Sequence, residues 1–219
     1  MPKLPPTVPY TLDVVALAPL NGALAVLLQP GGGRARPALP WDAPRDRERL
    51  GAAALRVARA ALGAPPAALE QVAAFGDGAR HPAGAPLSLA YVALVSAEQA
   101  DRARGEWVPV DRLPAMAPRQ EAMVEAAIAA VRVRADRSPV AFHLLPATFT
   151  LSALQETYEL LLERSLHKAS FRRALHAARL VEPIDEWRSE GRGRPAQLFR
   201  YAPRKRRNGQ RGVRFDTLG

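Results

Sequence analysis

The chain has 219 residues, 48% of them hydrophobic, and a formal net charge of +10. That is enough apolar material for one large core or two ordinary ones, and too much for a disordered tail. The absence of cysteine excludes disulfides, thiolate zinc sites and cysteine nucleophiles, and no apolar run is long enough to span a bilayer.

The opening MPKLPPTVPYTL is proline-broken and lacks the apolar centre of a secretion signal, so a soluble cytoplasmic protein is expected. Leu12–Leu17 and Ala23–Leu28 are apolar runs flanking Asn21-Gly22, a pair that tolerates positive φ and favours a tight hairpin. Gln29–Pro40 is a Gly/Pro/Arg loop. Arg47–Leu62 reads as an alanine-rich helix ended by Gly63 and Pro65-Pro66. Leu69–Phe75 and Leu87–Val95 are strand-like, separated by a Gly/Pro loop that contains His81, and Trp107–Val110 supplies one more short strand. Arg119–Arg134 is amphipathic, with Met123, Ala127 and Ala130 on one face and Ile128 and Val131 beside it. This order of strands and helices predicts an α+β layer sandwich, closed by a boundary at Ser138-Pro139.

Beyond that boundary Thr150 is placed as an N-cap before Leu151, Leu154, Tyr158, Leu161 and Leu162, a helical stripe. Arg164–Leu166 is too short for anything but a turn. The next helix, about His167–Ala178, puts Phe171, Ala174, Leu175 and Ala178 on one side, and Ala169, Arg172 and His176 roughly opposite, with Arg173 alongside. Its outward face is small or basic and free of acid, which suits close approach to base edges and phosphates. Leu180–Ile184 and Ala196–Tyr201 then flank a loop, Arg188–Pro195, whose Gly191-Arg192-Gly193-Arg194 core combines low bulk with bidentate donors. Helix, turn, helix and basic hairpin in that order predict a winged helix-turn-helix. From Ser138 onward there are 15 Lys and Arg against 8 Asp and Glu, and 16 against 13 before it, so most of the positive excess lies where a polyanion would bind. A biased genome rich in arginine codons would explain the charge alone, but not the motif order.

Two resemblances follow from these blocks. The order of hairpin, Ala38-Leu39-Pro40, helix ending in Gly63, Leu89–Leu94 and Glu106–Pro114 resembles a Nudix domain. That family places an arginine and then three metal-holding glutamates on its central helix. Aligned on Gly63, the arginine is Arg56, but the glutamate positions fall on Val57, Ala60 and Ala61, and Trp41-Asp42 stands where a glycine pair is usual. Magnesium requires oxygen ligands, so no catalytic residues and no metal site are expected. The four histidines His81, His143, His167 and His176 do not cluster at ligand spacing either. Asp42, Asp46 and Glu48 could be relocated metal ligands, or acids that offset the positive end of the helix.

The second resemblance covers Ala141–Pro146, Phe149–Leu151, Leu154-Gln155, Tyr158-Glu159, Phe171–Arg173, Leu180–Pro183 and Gly193–Tyr201. These segments resemble the winged helix of the Nudix-related transcriptional regulators, in which an inactive Nudix domain senses an ADP-ribose-type nucleotide and controls NAD-metabolism genes. The resemblance implies a Nudix-like α/β/α sandwich over 1–137 as sensor, a winged helix over 138–203, and a basic, disordered tail over 204–219. It implies a non-catalytic, dimeric repressor binding double-stranded operator DNA and a nucleotide effector such as ADP-ribose or NAD, with no cofactor and no membrane partner. The expected DNA-binding residues are Lys168, Ser170, Arg172, Arg173, His176, Arg188, Arg192 and Arg194. Arg34, Arg36, Arg56 and Arg59 are the expected ligand-binding set, with Arg56 alternatively a structural ion-pair partner. The competing expectations are an active Nudix pyrophosphohydrolase carrying a nucleic-acid-binding domain, and a scaffold whose winged helix binds protein.

Overall fold

The structure, a computed structural model, describes residues 9–31, 36–76, 78–135, 138–189 and 195–202. It divides into two compact units, Met1–Ala129 and Ala130–Gly219. Arg34, Arg192, Arg194 and the tail from 204 lie outside the described residues.

In the first unit β1 (Tyr10–Leu20) and β2 (Ala23–Leu28) form the expected hairpin. Asn21 and Gly22 both hold positive φ, 50° and 74°, the requirement of a two-residue turn that follows the strand twist. β3 (Trp41–Asp42) pairs with β1, and β4 (Ala68–Phe75), β5 (Leu87–Leu94) and β6 (Glu106–Pro109) complete a mixed sheet of order β4-β5-β1-β2-β6. β1 and β5 run parallel over Tyr10–Leu17 and Leu87–Leu94. Both are buried along most of their length, as strands covered on both faces must be.

α1 (Leu50–Leu62) packs Val57, Ala58, Ala61 and Leu62 against Val14, Ala16, Ala18, Leu27, Ala93 and Val95. Gly63 ends it in the left-handed region at φ 73°, with its N–H bonded to Arg59 O at 2.9 Å, and a Cβ there would meet Arg102 O at 3.0 Å. α1 begins three residues later than the pattern suggests. The acids upstream are therefore not in its first turn, and Arg49, the N-cap, makes no side-chain cap. α2 (Ala97–Ala100) is a single turn, capped reciprocally by Ser96 and Gln99. The unit boundary falls within α3 (Pro118–Ala135), whose Met123, Val124 and Ala127 are buried.

In the second unit β7 (Thr148–Phe149), β8 (Val181–Arg188) and β9 (Ala196–Tyr201) form a sheet of order β7-β9-β8 beside α4 (Leu151–Leu162) and α5 (Lys168–Ala178). Thr150 caps α4 by accepting the Ala153 N–H at 3.1 Å. Leu151, Leu154, Tyr158 and Leu161 are buried as the stripe predicts, while Leu162 is half-buried. Tyr158 and Phe171 meet edge-to-face at 5.8 Å. β8 runs past Ile184 to Arg188, with a register break between Pro183 and Trp187. A proline cannot donate to the ladder, which accounts for a strand signal that stops there in the sequence and resumes in the fold.

Candidate nucleic-acid interface and nucleotide cleft

The turn between α4 and α5 contains no glycine. Glu163 takes the left-handed conformation at φ 51°. The turn is closed by side chains of α4 instead: Glu159 Oε1 accepts the Leu166 N–H at 2.7 Å and the Gln155 amide at 3.0 Å, and the same amide donates to Leu166 O at 2.8 Å. Arg132 adds an ion pair to Glu163. Polar groups of a sharp turn are thus satisfied locally, which fixes the direction in which α5 leaves.

Phe171 and Leu175 on α5 are fully buried, and each contributes roughly 1.5–3 kcal/mol of hydrophobic stabilisation. Their burial sets the rotation of the helix. Lys168, Arg172, Arg173 and His176 are consequently exposed on the other side. Ser170 is half-buried, its Oγ accepting from Arg173 Nη2 at 3.3 Å and lying 3.3 Å from His167 Nδ1. From Arg164 to Val181 the chain carries no acid, so nothing on this helix neutralises its cations from within. Arg188, expected in the loop, instead ends β8 opposite Ala196. The body of the hairpin is acidic at Glu182, Asp185 and Glu186, with Glu182 paired to Arg200 at 3.2 Å. The polyanion-compatible surface among the described residues is α5 together with the Arg188 end of β8.

In the first unit a cleft of about 260 Å³ opens beside α1, lined by Gln29, Pro40, Trp41, Asp42, Arg56, Val57, Ala60, Ala61 and Arg104. The positions expected to lack catalytic carboxylates are therefore its apolar floor. Of the four arginines expected to bind ligand, Arg56 lines the cleft. Arg36 donates to Met116 O at 3.1 Å, and Arg59 is exposed on α1; neither lines it.

Arg56 is committed to its own chain. Its guanidinium donates to Glu48 at 2.9 and 3.0 Å, to Asp42 at 2.5 Å and to Ala43 O at 3.0 Å. These bonds hold the Glu48 carboxyl well below the usual range, at about 2, and raise the Arg56 guanidinium above its ordinary value, chiefly through Glu48. Asp42 and Glu48 are thus the arginine's partners rather than helix-end acids, and Asp46 pairs with Arg47, both exposed. No group of His, Asp or Glu among the described residues is placed to hold a metal ion.

Sequence reasoning missed what lies beneath Trp41. Asp13 is fully buried and accepts from Thr11 Oγ1 at 2.8 Å and from the Gln120 amide at 2.8 Å, with His81 Nε2 at 2.8 Å. Ala83 N donates to His81 Nδ1 at 3.0 Å, which leaves Nε2 as the nitrogen that donates to Asp13. Arg119, also buried, donates to Ala85 O and Ser88 Oγ. The Trp41 indole stands edge-on to the His81 ring, 5.3 Å away.

Residues 141–201 match the NrtR DNA-binding winged helix domain. The chain superposes on Shewanella oneidensis NrtR complexed with a 27mer DNA with a TM-score of 0.78 at 28% identity, covering 89% of this chain and 94% of that one. Over most of its length the chain is thus similar to Nudix-related transcriptional regulators. A MutT/nudix family protein from Enterococcus faecalis, 18% identical with a TM-score of 0.71 over 90% of this chain and 88% of that one, shares the fold. The fold class is accordingly α+β, a Nudix-like sandwich followed by a winged helix. The chain is also similar to the ADPR responsive transcriptional repressor NtrR of Acinetobacter baylyi, 31% identical over 141 residues. That match takes in 61% of this chain and 56% of the repressor's length. Among the described residues no helix is long and apolar enough to cross a membrane.

Proposed function

We propose that the protein is a non-enzymatic, sequence-specific repressor that binds double-stranded operator DNA through residues 138–203 and senses an ADP-ribose-type nucleotide through residues 1–137. The acid-free, exposed face of α5 carries this reading: an otherwise amphipathic helix presents Lys168, Arg172, Arg173 and His176 outward, behind a turn fixed by Glu159. Ser170 lies on the same helix, Arg188 ends β8, and Arg192 and Arg194 follow it in the sequence as further expected DNA contacts. A module this small buries too little surface for tight specific binding, which favours a homodimer on two half-sites. The named function of the Acinetobacter relative supports ADP-ribose as effector, and the resemblance supports NAD-metabolism genes as targets in the cytoplasm.

The floor of Val57, Ala60 and Ala61 argues against the pyrophosphohydrolase alternative, since none of these side chains can ligate a hard cation. The cationic, uncompensated face of α5 argues against a protein-binding scaffold. Footprinting on the protein's own upstream region, with and without ADP-ribose or NAD, tests the reading. A protected, salt-sensitive site that either nucleotide weakens or strengthens is expected. Uniform, unprotected DNA would refute it.

A further inference from the structure

Three features of the cleft bear on which part of a nucleotide it can take. Val57 and Ala61 are nearly buried and Ala60 lies open on the floor, so a phosphate seated there would lose hydration and gain no donor. One lining cation, Arg56, is held by two carboxylates, and the trio of Arg56, Asp42 and Glu48 carries a net negative charge. Arg104, also in the lining, is exposed and has no ion pair among the described residues. The charge distribution therefore repels a diphosphate from the floor and attracts it on the Arg104 side.

Trp41 supplies what the floor lacks in charge. It is 38% exposed, yet its backbone pairs with Asp13 and its ring is braced on His81, which Asp13 and Ala83 hold in turn. An indole with so little freedom loses little entropy on stacking. The volume of about 260 Å³ falls below the roughly 300–1,000 Å³ of sites that enclose a drug-sized molecule, so it suits one ring and not a whole dinucleotide.

We infer that the cleft seats the purine ring of the effector against Trp41 and over Val57 and Ala61, leaving the diphosphate outside on the Arg104 side. The inference rests on the nucleotide-sensor reading and assigns its specificity to Trp41, where the family has a glycine. Calorimetry on the full chain tests it with ADP-ribose, adenosine, nicotinamide riboside, ribose 5-phosphate and pyrophosphate. Adenosine binds and competes with ADP-ribose, whereas nicotinamide riboside, ribose 5-phosphate and pyrophosphate do not compete with it. Trp41→Ala weakens ADP-ribose by about tenfold or more, the scale of one lost base–aromatic stack. Trp41→Phe keeps most of the affinity, and thermal melts establish that both variants are folded. Arg104→Ala weakens ADP-ribose and leaves adenosine binding unchanged. Parental ADP-ribose affinity in a folded Trp41→Ala overturns the inference while the sensor reading stands, as does displacement of adenosine by nicotinamide riboside or pyrophosphate. No binding of any nucleotide overturns both.

Discussion

Replacing Arg172 with alanine separates recognition from folding. Arg172 is exposed on α5, while the residues that anchor the helix, Phe171 and Leu175, point into the core. Surface substitutions of this kind change stability by about 0.5 kcal/mol or less. If the guanidinium reaches a base edge, its loss costs about 1–3 kcal/mol of binding, or roughly 5- to 150-fold in Kd. Arg173→Ala has the same expectation with one difference: it also releases the Ser170 hydroxyl that Arg173 now engages. Fluorescence anisotropy with a labelled operator and a scrambled duplex, over a salt series, reads both effects. A base contact weakens operator binding more than scrambled binding, whereas a phosphate contact weakens both and flattens the salt slope by about 0.9. Thermal melts of each variant should match the parent. Unchanged affinity in Arg172→Ala, Arg173→Ala and the double variant would refute the assignment of α5 as the recognition helix.

Purified protein with magnesium or manganese should show no chelator-sensitive turnover of ADP-ribose, NAD or nucleoside triphosphates, since Val57, Ala60 and Ala61 offer no oxygen ligands; phosphate or nucleotide release assays check this. Glu159→Ala strands the Leu166 N–H and should destabilise the winged helix by about 1–3 kcal/mol in denaturant titrations, with Glu159→Gln intermediate because it keeps an acceptor. Glu48 has a folded pKa of about 2 against an ordinary 4.5. Its stabilisation is therefore present above the ordinary value and is lost as pH falls through the folded one. Glu48→Gln should remove that part of the acid dependence between pH 4.5 and 2, read from melting temperatures across the range. Arg192→Ala and Arg194→Ala should lower affinity for all DNA sequences and reduce the salt dependence, measured in the same anisotropy series.

The elements that the sequence announced are those whose signal is local. Asn21-Gly22 carries its turn in two residues, Thr150 its cap in one, and the α5 faces follow from a period that Phe171 and Leu175 set. The single turn α2 also carries a local signal, the Ser96…Gln99 capping box. What was illegible depends on partners distant in the chain. β3 is two residues long and exists because it pairs with β1. Asp42 and Glu48 look like helix-end acids until Arg56, fourteen and eight positions on respectively, is seen to claim both. His81 sits in a Gly/Pro loop, and only the fold brings it to Asp13, 68 positions away. Arg104 joins the cleft lining beside Gln29, whose amide donates to its carbonyl. Of the arginines near the helix in sequence, Arg56 lines the cleft, whereas Arg36 and Arg59 do not, because proximity along the chain does not give direction.

The central claim is that nucleotide binding in the first unit changes DNA occupancy by the second. An effector does this only if it binds the DNA-competent and DNA-incompetent states unequally, and the effect must then be reciprocal. The most direct measurement is a pair of titrations on the full chain: operator DNA with and without saturating ADP-ribose, and ADP-ribose with and without operator. The account predicts shifts of equal factor in both, roughly 5- to 150-fold. Operator affinity that ADP-ribose leaves unchanged, with ADP-ribose bound, would contradict it.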